Sequence, residues 1–344
     1  MSPKNLIVKN KTHNYLLNKL KNKKVLNIYK KFESNLNIDE NFIVAVSGGP
    51  DSLALTFLSK IYSIKKSLNP KYIIVDHKLR KNSSLEAKNV KKQLKKYLIN
   101  LDILTWNGLK PKTNIQSVSR RKRYSLLIKK ANKFKIKNIL LGHHLDDLFE
   151  NFFIRFLRGS GLKGLVSLDH KTQIDGINLI RPLLNFNKKD LIFISNFIFG
   201  SYVEDPSNKD DKFKRIKIRN FLKQLEEQGL DKAKFLLTIK NLKFSDETIR
   251  FYVNKNLKEN IIFSEKKKLV ILKKSFFNHS QEVIFRSLTE ILKIIGKKYY
   301  PVRGKKIEYI LQLIKTNAQF KVTLGGCVVK KVNETVMLSK ELRN

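Results

Sequence analysis

Residues 41–55 read Asn41-Phe42-Ile43-Val44-Ala45-Val46-Ser47-Gly48-Gly49-Pro50-Asp51-Ser52-Leu53-Ala54-Leu55. The first half is a short β-branched apolar run, the composition of a strand buried on both faces. Gly48, Gly49 and Pro50 break it. Asp51 and Ser52 are placed to cap Leu53–Leu58, which reads as the start of a buried helix. Strand, glycine turn and helix start together make an anion site, because backbone N–H groups and the helix dipole converge on the turn. A Walker A loop would end in Gly-Lys-Ser/Thr, whereas here that place holds Asp51. A carboxylate beside a polyphosphate is repulsive unless a cation lies between them, so Asp51 implies a Mg²⁺ bridging it to phosphates. The spaced glycines of a dinucleotide fingerprint are absent.

Working outward, strands and helices alternate. Lys71–Asp76 is a second buried strand, ending in Asp76-His77, and residues 83–99 have helical spacing. Leu101–Trp106 is a third strand, 114–134 a long helix, and Ile136–Gly142 a fourth strand leading into a helix from Leu145 to Leu157. This alternation predicts an α/β, doubly wound parallel sheet, in which ligands bind beyond the carboxyl ends of the strands. The polar residues after each strand are then the site candidates: Ser47–Ser52, Asp76-His77 and His143–Glu150.

Ahead of this core, residues 12–36 read as one Lys-rich helix within a basic N-terminal extension, 1–36. A catalytic domain spans 37–228. Within it, glycine-rich 158–165 reads as a loop, 187–199 as a helix, and Glu204-Asp205-Pro206-Ser207-Asn208 as a turn. A dense basic run, Lys212 to Arg219, precedes a helix at 218–228. From 229 to 344 the chain reads as mainly helical, with short strands at 261–263 and 268–272. It closes on a β-hairpin formed by Thr323–Lys331 and Thr335–Leu338.

Composition narrows the class. At 344 residues the chain holds two or three domains with real cores. The net charge of +42 makes nucleic acid the first partner to expect, although a general preference for Lys, Asn and Ile accounts for part of it. No apolar run is long enough to span a membrane, and residues 1–31 have no apolar core of a secretory signal. With Cys327 as its single cysteine, the chain forms no internal disulfide and no Cys-rich zinc or iron–sulfur site. A reducing, cytoplasmic setting is expected.

Three further constellations carry charge. In Gly142-His143-His144-Leu145-Asp146-Asp147-Leu148-Phe149-Glu150, helical spacing brings the carboxylates to one face. The cluster suits either a divalent metal or a cationic substrate. Arg120 and Arg123, one turn apart in Ser119-Arg120-Arg121-Lys122-Arg123-Tyr124, are placed to grip phosphates. Arg215 and Arg219, in the basic run, suit an RNA backbone.

Ser47–Ser52 resembles the pyrophosphate loop of the N-type ATP pyrophosphatases. Together with Val75–Arg80, Arg120–Tyr124 and Leu141–Asp147, it resembles, in order and spacing, the tRNA(Ile)-lysidine synthetase family. Arg158–Leu162, Arg181-Pro182-Leu183-Leu184, Asp205–Asn208, Tyr300–Arg303 and Thr323–Cys327 extend the likeness. It is strong over about 42–225 and weak elsewhere. Two positions depart from the usual pattern: Asn151 where the family carries threonine, and Ser119 where it carries alanine.

The resemblance implies ATP-dependent conversion of the wobble cytidine of a CAU-anticodon tRNA(Ile) to lysidine, with free lysine as the nucleophile. It implies ATP contacts from Ser47, Gly48, Gly49, Pro50, Asp51, Ser52, Asp76 and His77, and Mg²⁺ at Asp51. Asp147 and Glu150 would hold lysine. His143 or His144 would accept a proton, and Arg120, Arg123, Arg215 and Arg219 would contact phosphates or tRNA. Two alternatives remain: a tRNA thiolase of the same superfamily, which the shortage of cysteine disfavours, and a non-catalytic basic RNA-binding protein.

Overall fold

Successive residues of β1 (Phe42–Val46) go to opposite faces of a sheet. Phe42, Val44 and Val46 enter one buried cluster, and Ile43 enters another with Ile73 and Ile139. A strand covered on both faces requires apolar residues at every position, which explains the unbroken run. The computed structural model describes residues 3–203, 214–264, 269–297 and 302–341, apart from 81, 110, 112, 114 and 317. The turn expected at 204–208, the start of the basic run and Tyr300-Pro301 lie outside the described residues. The chain divides into two units, Met1–Leu230 and Asp231–Asn344.

In the first unit β2 (Lys71–Asp76), β3 (Leu101–Thr105), β4 (Asn138–Leu140), β5 (Lys171–Ile174) and β6 (Ile177–Ile180) join β1 in the order β3-β2-β1-β4-β6-β5. All neighbours are parallel except β5 and β6. α3 (Pro50–Lys65) and α4 (Ser83–Lys95) carry the chain outward from β1 to β3. α5 (Ile115–Phe134) then returns it to β4, on the other side of β1. The strand order therefore reverses between β1 and β4, and a crevice opens at their carboxyl ends.

The expected long N-terminal helix is two helices, α1 (Pro3–Asn18) and α2 (Lys23–Ser34), joined by one 3₁₀ turn. The break lies at Asn22, whose side chain accepts hydrogen bonds from the N–H groups of Lys24 and Val25 and so caps α2. Leu16, Val25, Ile28, Tyr29 and Phe32 belong to the same buried cluster as Phe42 and Val44. The basic N-terminal stretch is thus part of the core of the first unit. After β4 come α6 (Leu145–Phe156), a single turn α7 (Leu162–Leu165), the β5–β6 hairpin, α8 (Lys188–Phe199) and α9 (Lys214–Glu227).

The second unit begins with α10 (Lys232–Asn260), capped by the Asp231 carboxylate on the N–H groups of Ala233 and Lys234. The short strands expected at 261–263 and 268–272 and the expected hairpin join in a single sheet. β7 (Ile261–Ser264), β8 (Leu269–Leu272), β9 (Phe320–Leu324), β10 (Cys327–Val332) and β11 (Thr335–Lys340) form one antiparallel sheet, ordered β7-β8-β11-β10-β9. The stretch read as one strand, Thr323–Lys331, is split at Gly325-Gly326 by the β9–β10 turn. α11 (Gln281–Gly296) and α12 (Gly304–Lys315) share a core with the sheet, through residues such as Leu288, Ile307, Val329 and Leu338.

Candidate active site

The two polar segments after β1 and β4 meet in the crevice. A Cβ added to Gly142 would stand 3.3 Å from Asp51 O and Ser52 Cα, so the segments are in contact. The loop after β1 is shaped differently from its sequence reading. Gly49, not Asp51 or Ser52, is the N-cap of α3, and Pro50 takes the first helical position, where a missing N–H costs nothing. Asp51 and Ser52 therefore lie within the first turn.

Ser52 Oγ turns back to accept the N–H groups of Ser47 at 3.0 Å and Gly48 at 3.1 Å, and it donates to Gly49 O at 3.0 Å. Those two N–H groups hold the shape of the loop. The N–H groups of Asp51 and Ser52, which by position have no intrahelical acceptor, are donors available to an anion. Gly48 adopts φ +86°, and a Cβ there would lie 2.8 Å from Val90 Cγ2. No side chain fits.

Opposite the loop, His144 is the N-cap of α6 and is buried. Its Nδ1 accepts the Asp146 N–H at 3.3 Å, and its own N–H donates to Asp147 Oδ2 at 3.0 Å. Its Nε2 lies 3.6 Å from Asp51 Oδ2 and 3.5 Å from Asp147 Oδ2. Burial opposes charge on this ring. The Asp51 hydrogen bond and the charges of Asp147, Asp51 and Asp146 outweigh burial and raise its pKa. His144 thus spans the aspartate of the β1 loop and the acidic helix. Both ring nitrogens are committed.

His143 is the contrary case. Its Nδ1 is buried without a partner. Burial first, and then the positive charges of Arg120, Arg181 and Arg123, push its pKa down to about 3 against the pull of Asp147. Asp147 and Glu150, both on α6, also diverge. Burial resists ionisation of Asp147, but His144, His143, the His144 N–H and Arg215 prevail and lower its pKa. For Glu150 burial prevails over the Arg219 hydrogen bond, and its pKa rises. Glu150 Oε1 accepts from Arg219 Nε, while Oε2 is buried without a partner.

Around this acidic pair lies a cationic wall. The guanidinium carbons of Arg120 and Arg123 stand 5.4 Å and 5.7 Å from the centre of the Tyr124 ring. Arg181 joins them from the end of β6, held by Asp169 O at 2.7 Å and Thr172 Oγ1 at 3.1 Å. Burial opposes ionisation of the Tyr124 hydroxyl, yet the charges of Arg120, Arg123 and Arg181 lower its pKa. The Nε atoms of Arg123 and Arg181 are buried without partners. A half-buried cluster of arginines with unspent donors is suited to phosphate oxygens.

Asp51, His143, His144, Asp147, Glu150, Arg120, Arg123 and Arg219 are gathered in this crevice. The charge of Arg215 reaches Asp147, Glu150 and Arg123. Arg219 is engaged by Glu150 rather than being displayed on a surface strip. Asp76 and His77 divide. Asp76 accepts from Lys78 N at 2.9 Å and from the hydroxyls of Ser83 and Ser84, so it fixes the start of α4. His77 keeps a buried, unpartnered Nδ1 and meets Trp106 edge-on at 6.1 Å.

Sequence reasoning left Arg181 and Tyr124 out of the site. For Arg181 a signal existed in Asp175-Gly176 between apolar residues. This pair forms the two-residue turn of the β5–β6 hairpin, with φ +49° and +77°, and it places Arg181 just past a strand end.

Among the described residues, no group of three or more His, Cys, Asp or Glu is arranged to hold a metal by itself. Asp51 Oδ1 is buried without a partner and fits Mg²⁺, which takes one or two carboxylates and completes its shell with phosphates and water. Two hollows lie elsewhere: about 540 Å³ at the amino ends of the strands, by Asn138 and Asn178, and about 920 Å³ in the second unit, by Phe277 and Lys331.

Fold and crevice together define a PP-loop protein, and the family model described as PP-loop domain matches residues 17–226. A tRNA(Ile)-lysidine synthase from Wolbachia sp. subsp. Brugia malayi is 30% identical, over 87% of this chain and 70% of that one. One from Rickettsia akari is 32% identical, over 91% of this chain and 74% of that one. The chain therefore belongs to the tRNA(Ile)-lysidine synthase family. A solved structure, the U34-tRNA thiolase NcsA from Methanococcus maripaludis with its [4Fe-4S] cluster, shares the fold. It has a TM-score of 0.56 and 18% identity, over 64% of this chain and 78% of that one.

Proposed function

We propose that this chain ligates free lysine to C2 of the wobble cytidine in the CAU anticodon of tRNA(Ile), consuming ATP. The observation that carries this is the meeting, in one crevice beside the β1 loop, of an acidic pair, Asp147 and Glu150, with a group of arginines. An ammonium nucleophile needs the first and a polyphosphate needs the second.

The cytidine O2 is a poor leaving group. It attacks the α-phosphorus of ATP and pyrophosphate departs, which converts O2 into an AMP ester. The lysine ε-amine then attacks C2, the C2–O2 bond breaks, and AMP leaves. The N–H groups of Asp51 and Ser52, with Arg120, Arg123 and Arg181, hold phosphate oxygens, and Asp51 Oδ1 holds Mg²⁺. That ion would neutralise charge on the departing pyrophosphate. Asp147, held ionised, and Glu150, through Oε2, bind the lysine.

Attack requires a neutral amine, whereas the lysine side chain has a pKa near 10.4. His144 Nδ1 already accepts the Asp146 N–H and its Nε2 faces Asp51 and Asp147, so it orients those two carboxylates. His143 is the histidine left to accept the proton. The arginine charges that weaken it as a base are those that bound phosphates cancel.

The thiolase alternative loses support from the one cysteine. Cys327 is buried in the second unit and donates to Leu292 O at 3.3 Å. Incubation with ATP, labelled lysine and a CAU-bearing tRNA(Ile) transcript should place label in the tRNA. Label from a sulfur donor instead, or none from lysine, overturns the proposal.

A further inference from the structure

Past Glu150, α6 carries a row of aromatic rings that runs across to α9. Phe156 stacks on Phe152 at 6.4 Å and 9°, Phe152 meets Phe153 edge-on at 5.8 Å, and Phe153 meets Phe221 edge-on at 5.6 Å. Both ends of the row are open, with Phe156 58% and Phe221 41% exposed. Exposing a phenylalanine at each end of one ring series is unfavourable for a surface with no partner.

Charge identifies the partner. Burial, then the positive charges of Arg158 and Arg120, lower the pKa of Arg155, and no described carboxylate pairs with Arg155 or Arg158. Arg120 also belongs to the phosphate wall of the crevice, so these cations are continuous with the active site. Exposed rings flanked by unpaired arginines fit unpaired nucleotides, whose bases offer π-faces and whose backbone offers phosphates. They do not fit duplex RNA, which keeps its bases stacked inside.

Resting on the ligase reading above, we propose that Phe156 and the ring row behind it form a stacking ledge. The ledge would hold single-stranded loop nucleotides flanking the modified cytidine, with Arg155 and Arg158 on their phosphates. It would fix the loop while the cytidine enters the crevice.

The test measures equilibrium binding of the full chain to a hairpin RNA with a CAU loop, at fixed salt. Phe156→Ala should bind about tenfold more weakly, since one base stacked on one ring is lost. Its melting temperature should not move, because the side chain is exposed. Phe156→Trp should restore affinity and Phe156→Leu should not, because leucine keeps the apolar area without the π-face. Wild-type affinity in Phe156→Ala, or rescue by leucine, overturns the ledge. So does a change in the sedimenting mass of the RNA-free protein at unchanged RNA affinity, which would assign the row to a second copy of the chain. If the wild type transfers lysine while Phe156→Ala binds normally, only the ledge fails. If the ledge binds the loop and no lysine is transferred, only the ligase reading fails.

Discussion

The two units bury polar groups in opposite ways. In the second, Asp246 binds Arg286 and Arg250, and Arg286 also binds Glu282. Asn256 donates to Phe276 O and Ser287 Oγ, and Lys331 Nζ closes on the carbonyls of Ile314 and Thr316. Arg286 Nη2 is the buried donor left over in that network. In the first unit, Asp51 Oδ1, Arg123 Nε, His143 Nδ1, Glu150 Oε2 and Arg181 Nε are all buried without partners around one crevice. Leaving such atoms unpaired costs roughly 1–3 kcal/mol each. A fold retains that cost where a ligand relieves it, so the contrast separates a polar network that holds structure from one that awaits substrate.

The sharpest break of this contrast is at Asp51. Asp51→Ala should lower tRNA-dependent pyrophosphate release by about 10³-fold or more, as loss of a metal-holding carboxylate does. Its unfolding free energy should change by less than about 1 kcal/mol, the scale of a helix-terminus charge. Full release of pyrophosphate in that variant would remove the Mg²⁺ role.

Asp246→Ala should do the reverse. It breaks a buried ion pair and should lower the stability of the second unit by about 3 kcal/mol in urea unfolding. Stability equal to wild type would show that the network is not structural.

Glu150→Gln tests the acidic pair. It should raise the apparent KM for lysine by about 10-fold, through loss of one charged contact, and the KM for ATP much less. Equal changes in both would remove Glu150 from the lysine pocket.

The smallest effect falls on Asp76, the satisfied carboxylate of the first unit. Burial disfavours its ionisation, but the Ser84, Lys78 and Ser83 hydrogen bonds prevail, so its folded pKa lies below the ordinary 3.8. The stabilisation is therefore present above pH 3.8 and is lost as pH falls through the folded value. Asp76→Asn should cost about 1–2 kcal/mol at neutral pH and flatten the acid limb of the stability curve. An unchanged acid limb would mean that Asp76 is not what ties β2 to α4.

Local patterns were legible in the chain where periodicity and turn chemistry act over a few residues. β1, its glycine loop, α3 and the alternation through α6 follow from apolar runs and breaks. The break at Asn22 and the Asp175-Gly176 hairpin were legible in principle, since each has its own cap or turn signature. The second sheet was not. β8 pairs with β11 from more than sixty residues away, and no short-range pattern states which strands will be neighbours.

By itself, then, the stretch Asn41–Leu55 determined a buried strand and a glycine turn that opens a helix, and through Asp51 it led to the expectation of a cation. Tertiary structure alone decided which groups spend their hydrogen bonds at home. Ser52 is spent on the backbone of its loop, Asp76 on the Lys78 N–H and the hydroxyls of Ser83 and Ser84, His144 on Asp51, Asp147 and its own helix, and Arg219 on Glu150. Asp51, Arg123, His143 and Glu150 each keep a buried polar atom unpaired. The reason is physical: residue type sets what a side chain is able to bind, but only packing sets whether a partner is already within reach.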